Sequence, residues 1–420
     1  MRNLVTITTP FCAQTVLQQR GGFAELALKG TVELEDERNY PVIRVVNERT
    51  EETELYERLS CENGRWAHTL RLPVGMHRVE TGVALAQAGY NPYYLGHGDM
   101  LRSVFVGEVF AVAGQSNAAG YGKGTVCDPP QYGVSVFDGG WCTAAHPIGQ
   151  TKTSAAFTDA LNCGHSAWLS FGKNILEQTG SPVGLVPAAL NGSGIRNWQP
   201  GQPLFENLVA LCLETGAANL IWYQGCTDTD EPDDYAELLE RMLRELQGRL
   251  GSISVLIVQL SGTTNEQREG RGWRLVREAQ RASAVRFGAM LIPTFDLTRY
   301  CDDIHLGPKD NLLLGERAAM QFLRQTPAGE ITARQTNGTV EVRFSGVRLR
   351  PGKTEGVLLL DEQGAAIPCE ANAKGNILQL CGKGMERARR VTLAFDRIYT
   401  GASPRDEAGE ILPYFDIPIE

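Results

Sequence analysis

The run Val104-Phe105-Val106-Gly107-Glu108-Val109-Phe110-Ala111-Val112-Ala113 is almost unbroken in apolar residues and stops at Gly114-Gln115-Ser116-Asn117. A run of that length without the alternation of a half-exposed strand suits a strand covered on both faces, as in a parallel sheet with helices above and below. Gly114 lets the chain turn sharply there without a Cβ clash. Ser116 is thereby expected at the carboxyl edge of the sheet, where open α/β sheets bind ligands. A small polar residue after a strand is also an ordinary helix N-cap, and Ser116 taken alone supports that reading first.

At 420 residues the chain is too long for one ordinary core, so two or three domains are expected. Forty basic against 49 acidic residues give a net charge of −9 with no basic block. That balance argues against nucleic acid or an anionic membrane as partner and suits a small or uncharged substrate; the oligomeric state is not legible. Met1 to Arg20 has no apolar core of signal-peptide length and no stretch reaches the roughly 18 apolar residues of a membrane span, so the chain as written is expected in the cytoplasm, or secreted or periplasmic if a leader was removed. Ten cysteines fall without a Cys-x-x-Cys pair or a zinc-like spacing with histidine. They are expected to be mostly buried thiols, and no metal is expected.

Residues 1–103 read as a β-sandwich: Phe23 to Leu28, Val42 to Val46, Ala67 to Leu72 and His77 to Val83 are short strand-like runs separated by turn residues. Trp66 reads as a core or strand-edge anchor ahead of a sugar-stacking one. From 104 to 326 strand and helix patterns alternate. Strands are expected at Pro182 to Leu190, Asn219 to Tyr223, Ile253 to Leu260 and Met290 to Thr294. The helices between and after them are expected at Ser166 to Gln178, Leu204 to Thr215, Asp233 to Leu250, Gly272 to Arg286 and Lys309 to Leu323. The fold class is therefore α/β, a parallel sheet between helical layers joined by right-handed crossovers. The polar segment from Lys123 to Gly164, with Trp141, Cys142 and His146, is expected to overhang the site. Residues 327–420 return to β character, with strands expected at Thr339 to Phe344, Gly356 to Asp361, Asn376 to Leu380 and Val391 to Phe395.

Three further turns at the same sheet edge carry polar groups. After Val183 to Leu190 comes Asn191-Gly192-Ser193-Gly194-Ile195-Arg196-Asn197-Trp198, whose two glycines expose backbone N–H groups of the kind that hold an oxyanion. Leu220-Ile221-Trp222-Tyr223 runs into Gln224-Gly225-Cys226-Thr227-Asp228, offering a side-chain amide. Cys301-Asp302-Asp303-Ile304-His305-Leu306 precedes the last helix. Asp-x-x-His on one turn can set a carboxylate against the imidazole Nδ1 and leave Nε2 free as a general base.

These blocks, with Val258-Gln259-Leu260-Ser261, Arg277-Glu278-Ala279-Gln280, Leu314-Gly315-Glu316-Arg317 and the amino-terminal Val16-Leu17-Gln18-Gln19-Arg20, resemble the SGNH-type carbohydrate O-acetylesterases, in particular the sialate O-acetylesterase branch. The resemblance spans nearly the whole chain, its specific part being the middle blocks. It implies an SGNH-hydrolase-like core flanked by an amino-terminal β-sandwich and a carboxy-terminal β-rich domain. It also implies Ser116 as nucleophile, His305 as general base and then acid, and Asp302 as the residue orienting it. The Ser116 and Gly192 N–H groups and the Gln224 side chain would hold the oxyanion, with Gly194 in reserve. The reaction would remove an acetyl group from an acetylated carbohydrate through an acetyl-serine, without cofactor.

Arg196, Trp198 and Asn117 are candidate substrate contacts. An arginine can grip a sugar carboxylate and a tryptophan can stack on a pyranose; the alternative is a solvated Arg196 and a Trp198 packed beneath the turn. The chain departs from the branch where Gln-Gly-Glu becomes Gln224-Gly225-Cys226, which removes a carboxylate that Asp228 could replace and leaves Cys226 as an alternative nucleophile. Sialic acid is the first substrate expected, an acetylated xylan or mannan the second, and a carbohydrate-binding protein on an inactive esterase scaffold the third reading.

Overall fold

The computed structural model describes residues 3–84, 96–149, 162–268, 270–393, 397–399 and 401–420. The amino-terminal strands are β1 (Leu4–Ile7), β2 (Val16–Gln18), β3 (Phe23–Glu33), β4 (Tyr40–Asn47), β5 (Thr53–Arg58), β6 (Cys61–Glu62), β7 (Arg65–Pro73) and β8 (Gly75–Ala84). One sheet has the order β1-β3-β7-β6, and β3 alternates exposed and buried residues along its whole length, as a strand with one wet face must. Its inner face meets that of β4 and β8 over a core containing Leu28, Ile43, Val45, Trp66, Leu70, Leu72 and Val79. Trp66 is buried and its indole N–H donates to Thr6 O at 3.1 Å, so it is a core anchor and not a sugar platform.

The central unit begins with β9 (Gly96–Gly114) and continues with β10 (Val134–Phe137), β11 (Trp141–Thr143), β12 (Val183–Pro187), β13 (Asn219–Tyr223), β14 (Ser254–Val258) and β15 (Met290–Ile292). Its helices are α1 (Ser116–Ala119), α2 (Ala167–Thr179), α3 (Pro203–Thr215), α4 (Tyr235–Leu250), α5 (Gly270–Phe287) and α6 (Pro308–Arg324). The strand order is β11-β10-β12-β9-β13-β14-β15, parallel except for the edge strand β11. Every residue of β12 and β13 is buried, the consequence of helices on both faces. Helix α2 is capped by Ser166 Oγ, which accepts the Trp168 N–H at 3.2 Å, and stops at Gly180 in a left-handed conformation.

The chain leaves β9 for β10 and β11 at one edge, returns through α2 to β12 beside β9, and then crosses β9 through α3 to β13. With right-handed crossovers this reversal puts α2 and α6 on one face and α3, α4 and α5 on the other. The carboxyl end of β9 is thus the topological switch point of the sheet, and Ser116 is there.

The expected boundary at 103/104 falls inside β9. Residues 96–106 of this strand pair antiparallel with β8, while 108–114 are the middle of the parallel sheet, so one continuous ladder joins the two units. The segment after Lys123 also differs from an overhanging loop. Its described part supplies β10 and β11, with Trp141 packed edge-on against Phe137, because Val134-Ser135-Val136-Phe137 is itself a short buried strand. Residues 150–161 of that segment lie outside the described residues. Among the cysteines only Cys212 and Cys226 are buried; five are exposed and all ten are free.

The carboxy-terminal strands are β16 (Ile331–Thr336), β17 (Thr339–Phe344), β18 (Gly352–Thr354), β19 (Val357–Leu360), β20 (Ala366–Ile367), β21 (Glu370–Lys374), β22 (Ile377–Cys381), β23 (Arg390–Leu393) and β24 (Asp416–Pro418). They form sheets of order β16-β17-β22-β21-β18 and β20-β19-β23-β24 around Val340, Val342, Leu359, Leu378, Leu380, Val391 and Phe415. The end of the strand expected at Val391 to Phe395 lies outside the described residues. This unit docks on the core through Gln259, whose carboxamide donates to Tyr414 O (3.0 Å) and accepts its N–H (2.8 Å).

Candidate active site

Ser116 is the first residue of α1, with Gln115 alone between it and the end of β9. The turn that puts it there depends on Gly114, which has φ +129 and whose Cβ, if present, would lie 2.1 Å from Tyr223 O. Gln115 is the N-cap and makes no side-chain cap, so the hydroxyl of Ser116 is not spent on the helix. Its Oγ lies 2.8 Å from His305 Nε2. On the far side of the ring, His305 Nδ1 is 2.7 Å from Asp302 Oδ2. Asp302 Oδ1 also accepts the N–H groups of Ile304 (3.0 Å) and His305 (2.8 Å).

Burial opposes ionisation of Asp302, but the imidazole and the two backbone donors outweigh it and hold the carboxyl below its usual range. An ionised Asp302 assigns the ring proton to Nδ1 and leaves Nε2 as acceptor for the Ser116 hydroxyl. Asp303 is turned elsewhere: its carboxylate accepts the side chain of Asn265 at 3.1 Å. Tyr121 packs a ring face near His305, with centroids 5.2 Å apart.

Two of the expected oxyanion donors are presented by the backbone. The Ser116 N–H belongs to the first helical turn, where no intrahelical acceptor exists. Gly192 is exposed at φ +68, and among the described residues its N–H has no acceptor. The turn around it is tied down by Ser193, whose hydroxyl donates to Leu190 O at 2.8 Å, and by Thr227, whose hydroxyl donates to Gly192 O at 3.2 Å.

Three assignments need correction, and a fourth, Arg196, stays open. Gln224 is fully buried and its amide donates to Ser193 O (3.0 Å) and to the Asp228 carboxylate, so both N–H bonds are consumed in holding the glycine turn. It is not offered to an oxyanion in this arrangement. Trp198 is fully buried, donates to Ser193 Oγ at 2.9 Å and meets Trp222 edge to face, so no sugar can stack on it. Asn117 is buried with each end of its carboxamide bonded to backbone, at Ile304 O (3.2 Å) and the Leu306 N–H (3.1 Å), so it holds the chain around His305 and does not face open space. Arg196 is exposed and paired with Asp234 at 2.6 Å.

Asp228, left open by the sequence, lies inside the site's framework. Both carboxylate oxygens accept the Ile195 N–H at 3.1 Å, next to the Gln224 amide. Burial raises its pKa against the lowering effect of those bonds. The Cys226 thiol is buried and pushed up to about 12 by desolvation, so it is a neutral filler and not a nucleophile.

Gln115 was missed by sequence reasoning: its side-chain oxygen accepts the Gly225 N–H at 2.9 Å and joins the Ser116 turn to the next one. Its place between Gly114 and Ser116 was the available signal. Gln280 was missed in the same way, accepting the Leu260 N–H (2.8 Å) and donating to Gln224 O (2.8 Å).

Asp128, His146 and His165 are close enough to share a metal ion. Their hydrogen bonding does not suit one. The Ser166 N–H donates to His146 Nδ1 (3.2 Å), so the proton of the neutral ring is on Nε2, which donates to Asp128 Oδ2 (2.8 Å). A metal would need that nitrogen bare and a proton on Nδ1, against the Ser166 donor. Lys173 already supplies a cation 2.8 Å from the other carboxylate oxygen. The cluster reads as a staple between the 125–149 segment and α2.

The family profile described as carbohydrate esterase, sialic acid-specific acetylesterase, matches residues 106–324, just over half of the chain. A probable carbohydrate esterase of Arabidopsis thaliana is 27% identical over 173 residues, which cover 38% of this chain and 64% of that protein. The chain therefore spans less than two thirds of the length of that relative. Among solved structures, a carbohydrate acetylesterase from Xanthomonas citri superposes with a TM-score of 0.62 at 17% identity, covering 97% of this chain and 99% of the other. At that identity the likeness speaks for the fold, including both flanking β-units.

Proposed function

The chain belongs to the carbohydrate esterase family of sialic acid-specific acetylesterases, a group of carboxylic-ester hydrolases, and on that premise we propose that it removes O-acetyl groups from a carbohydrate through an acetyl-serine intermediate. The observation that carries this reading is the continuous relay Ser116 Oγ, His305 Nε2, His305 Nδ1, Asp302 Oδ2, with links of 2.8 and 2.7 Å.

Ser116 Oγ attacks the acetyl carbonyl carbon while His305 Nε2 takes its proton. The carbonyl oxygen becomes an oxyanion held by the Ser116 and Gly192 N–H groups, each donor contributing about a hundredfold to a thousandfold to turnover. The tetrahedral adduct collapses, the C–O bond to the sugar breaks, and the imidazolium returns its proton to the sugar oxygen. Water, deprotonated by His305, then cleaves acetyl-Ser116 by the same steps and releases acetate.

An O-acetylated sialic acid is the first substrate by family. A neutral acetylated glycan such as xylan or mannan is the alternative: the pair of Arg196 with Asp234 is exposed, so a sugar carboxylate can compete for it and the pair favours neither sugar. No observation favours an inactive binding scaffold.

Acetate release from acetylated sialic acid, acetylated xylo- and manno-oligosaccharides and an aryl acetate, measured for wild type and Ser116→Ala, tests the proposal. Release that vanishes in the variant supports it, and the fastest sugar decides the substrate class. Equal release from both proteins refutes Ser116 as nucleophile.

A further inference from the structure

The nucleophile and the base come from chain segments 189 residues apart, and a proton can pass between them only while their separation is held within hydrogen-bond reach. His305 sits in an irregular stretch between β15 and α6, not on a regular element. That stretch is anchored to itself by Cys301 N–H donating to His305 O (2.9 Å). It is anchored to the exit of β14 by Thr264 N–H and Thr263 Oγ1 donating to Asp303 O (2.9 and 2.8 Å). Cys301 Sγ also meets Tyr121 O (3.7 Å) and the Lys123 N–H (3.3 Å), beyond the end of α1. None of these bonds reaches the turn that carries Ser116.

Asn117, the residue after the nucleophile, does. Its Nδ2 donates to Ile304 O and its Oδ1 accepts the Leu306 N–H, so the carboxamide grips the peptide groups on both sides of His305 as a neighbouring strand would. We propose that Asn117 is the positioning residue that sets the Ser116–His305 distance. The proposal rests on the reading of Ser116 as nucleophile and His305 as base.

The chemistry of the side chain is specific to this grip. Only a short side chain with an acceptor and a donor on one carbon satisfies both backbone partners. Aspartate keeps the acceptor but sets a carboxylate oxygen against Ile304 O. Glutamine moves the group outward by a methylene. Asn117 is only 5% exposed, its bond to the Leu306 N–H is buried and that to Ile304 O partly so, and water does not replace them freely. Helix α1 is a single turn closed by Gly120, so Asn117 has little room to move relative to Ser116.

The test compares wild type, Asn117→Ala and Asn117→Asp by aryl acetate kinetics, by the rate at which a fluorophosphonate labels Ser116, and by the far-downfield proton resonance of the His305–Asp302 hydrogen bond. For Asn117→Ala, kcat and the labelling rate are expected to fall together by about 10- to 100-fold with KM little changed, while the downfield proton persists. Asn117→Asp, of the same shape, is expected in between, and it carries the test if the alanine variant does not fold. Wild-type rates in both variants would overturn the proposal. So would a raised KM at unchanged kcat, which would return Asn117 to a substrate contact, or loss of the downfield proton, which would make its role general folding. A wild type that the fluorophosphonate does not label would instead remove the nucleophile assignment beneath the proposal, a failure visible without any Asn117 variant.

Discussion

Asp302→Asn is the sharpest perturbation of the relay because it changes one proton and almost no shape. In the native site Asp302 Oδ1 accepts two backbone N–H groups, and an asparagine oxygen can go on accepting them, so the loop keeps its course. The amide nitrogen then faces His305 Nδ1 where a carboxylate oxygen stood at 2.7 Å. To meet that donor Nδ1 must give up its proton, and the neutral ring carries it on Nε2, pointing at Ser116 Oγ. The base becomes a donor where an acceptor is required. A wrong tautomer at such a site lowers kcat by about ten-thousandfold, equivalent to about 5.4 kcal/mol at roughly 1.36 kcal/mol per tenfold.

Asp303→Asn is the internal control. Its side chain meets Asn265 and its backbone carbonyl meets Thr263 and Thr264, and only the side chain changes, so activity is expected to stay within about twofold. The assay is kcat and KM on an aryl acetate, with melting temperatures recorded for both variants. Asp302→Asn retaining more than a tenth of wild-type kcat, or Asp303→Asn losing as much as Asp302→Asn, would refute the tautomer argument.

Cys226→Ser is expected to leave kcat within about threefold, since its thiol is neutral at working pH, and to cost on the order of 1–3 kcal/mol by burying a hydroxyl; abolished turnover in a folded variant would contradict this. Asp228→Ala leaves the Ile195 N–H and the Gln224 amide without their acceptor, so unfolding in urea is expected to show a loss of about 1–3 kcal/mol together with a lower kcat, and an unchanged kcat would separate Asp228 from the oxyanion turn. Burial alone would raise the pKa of Asp128, but His146, His165 and Lys173 outweigh it and hold the carboxyl well below the usual range. A depressed carboxylate stabilises the fold above its unfolded value of about 3.9 and loses that contribution as pH falls through the folded value. The melting-temperature gap between wild type and Asp128→Asn should therefore be widest near neutrality and close on acidification below about pH 4; a gap that widens in acid would reverse the argument.

The period of the sequence was enough for the α/β class and for most elements of the core. The apolar runs at 104–113, 219–223 and 253–260 announce strands, and the capped, periodic stretches between them announce helices, because burial on two faces or on one stripe leaves a mark on each residue in turn. Ser116, His305 and Asp302 were legible for a related reason. Each lies at a strand end or within one turn of its partner, where local spacing carries the geometry. What only the tertiary structure decided is where each polar group points once distant turns meet. Gln224, Trp198 and Asn117 all stand in the right blocks, and all three spend hydrogen bonds on neighbouring backbone, on Ser193 or on Asp228 instead of facing a substrate. The joining of two units through β9 was hidden as well, since a strand of 19 residues looks the same locally whether it serves one sheet or two. Pairing partners come from elsewhere in the chain, so no local period records them.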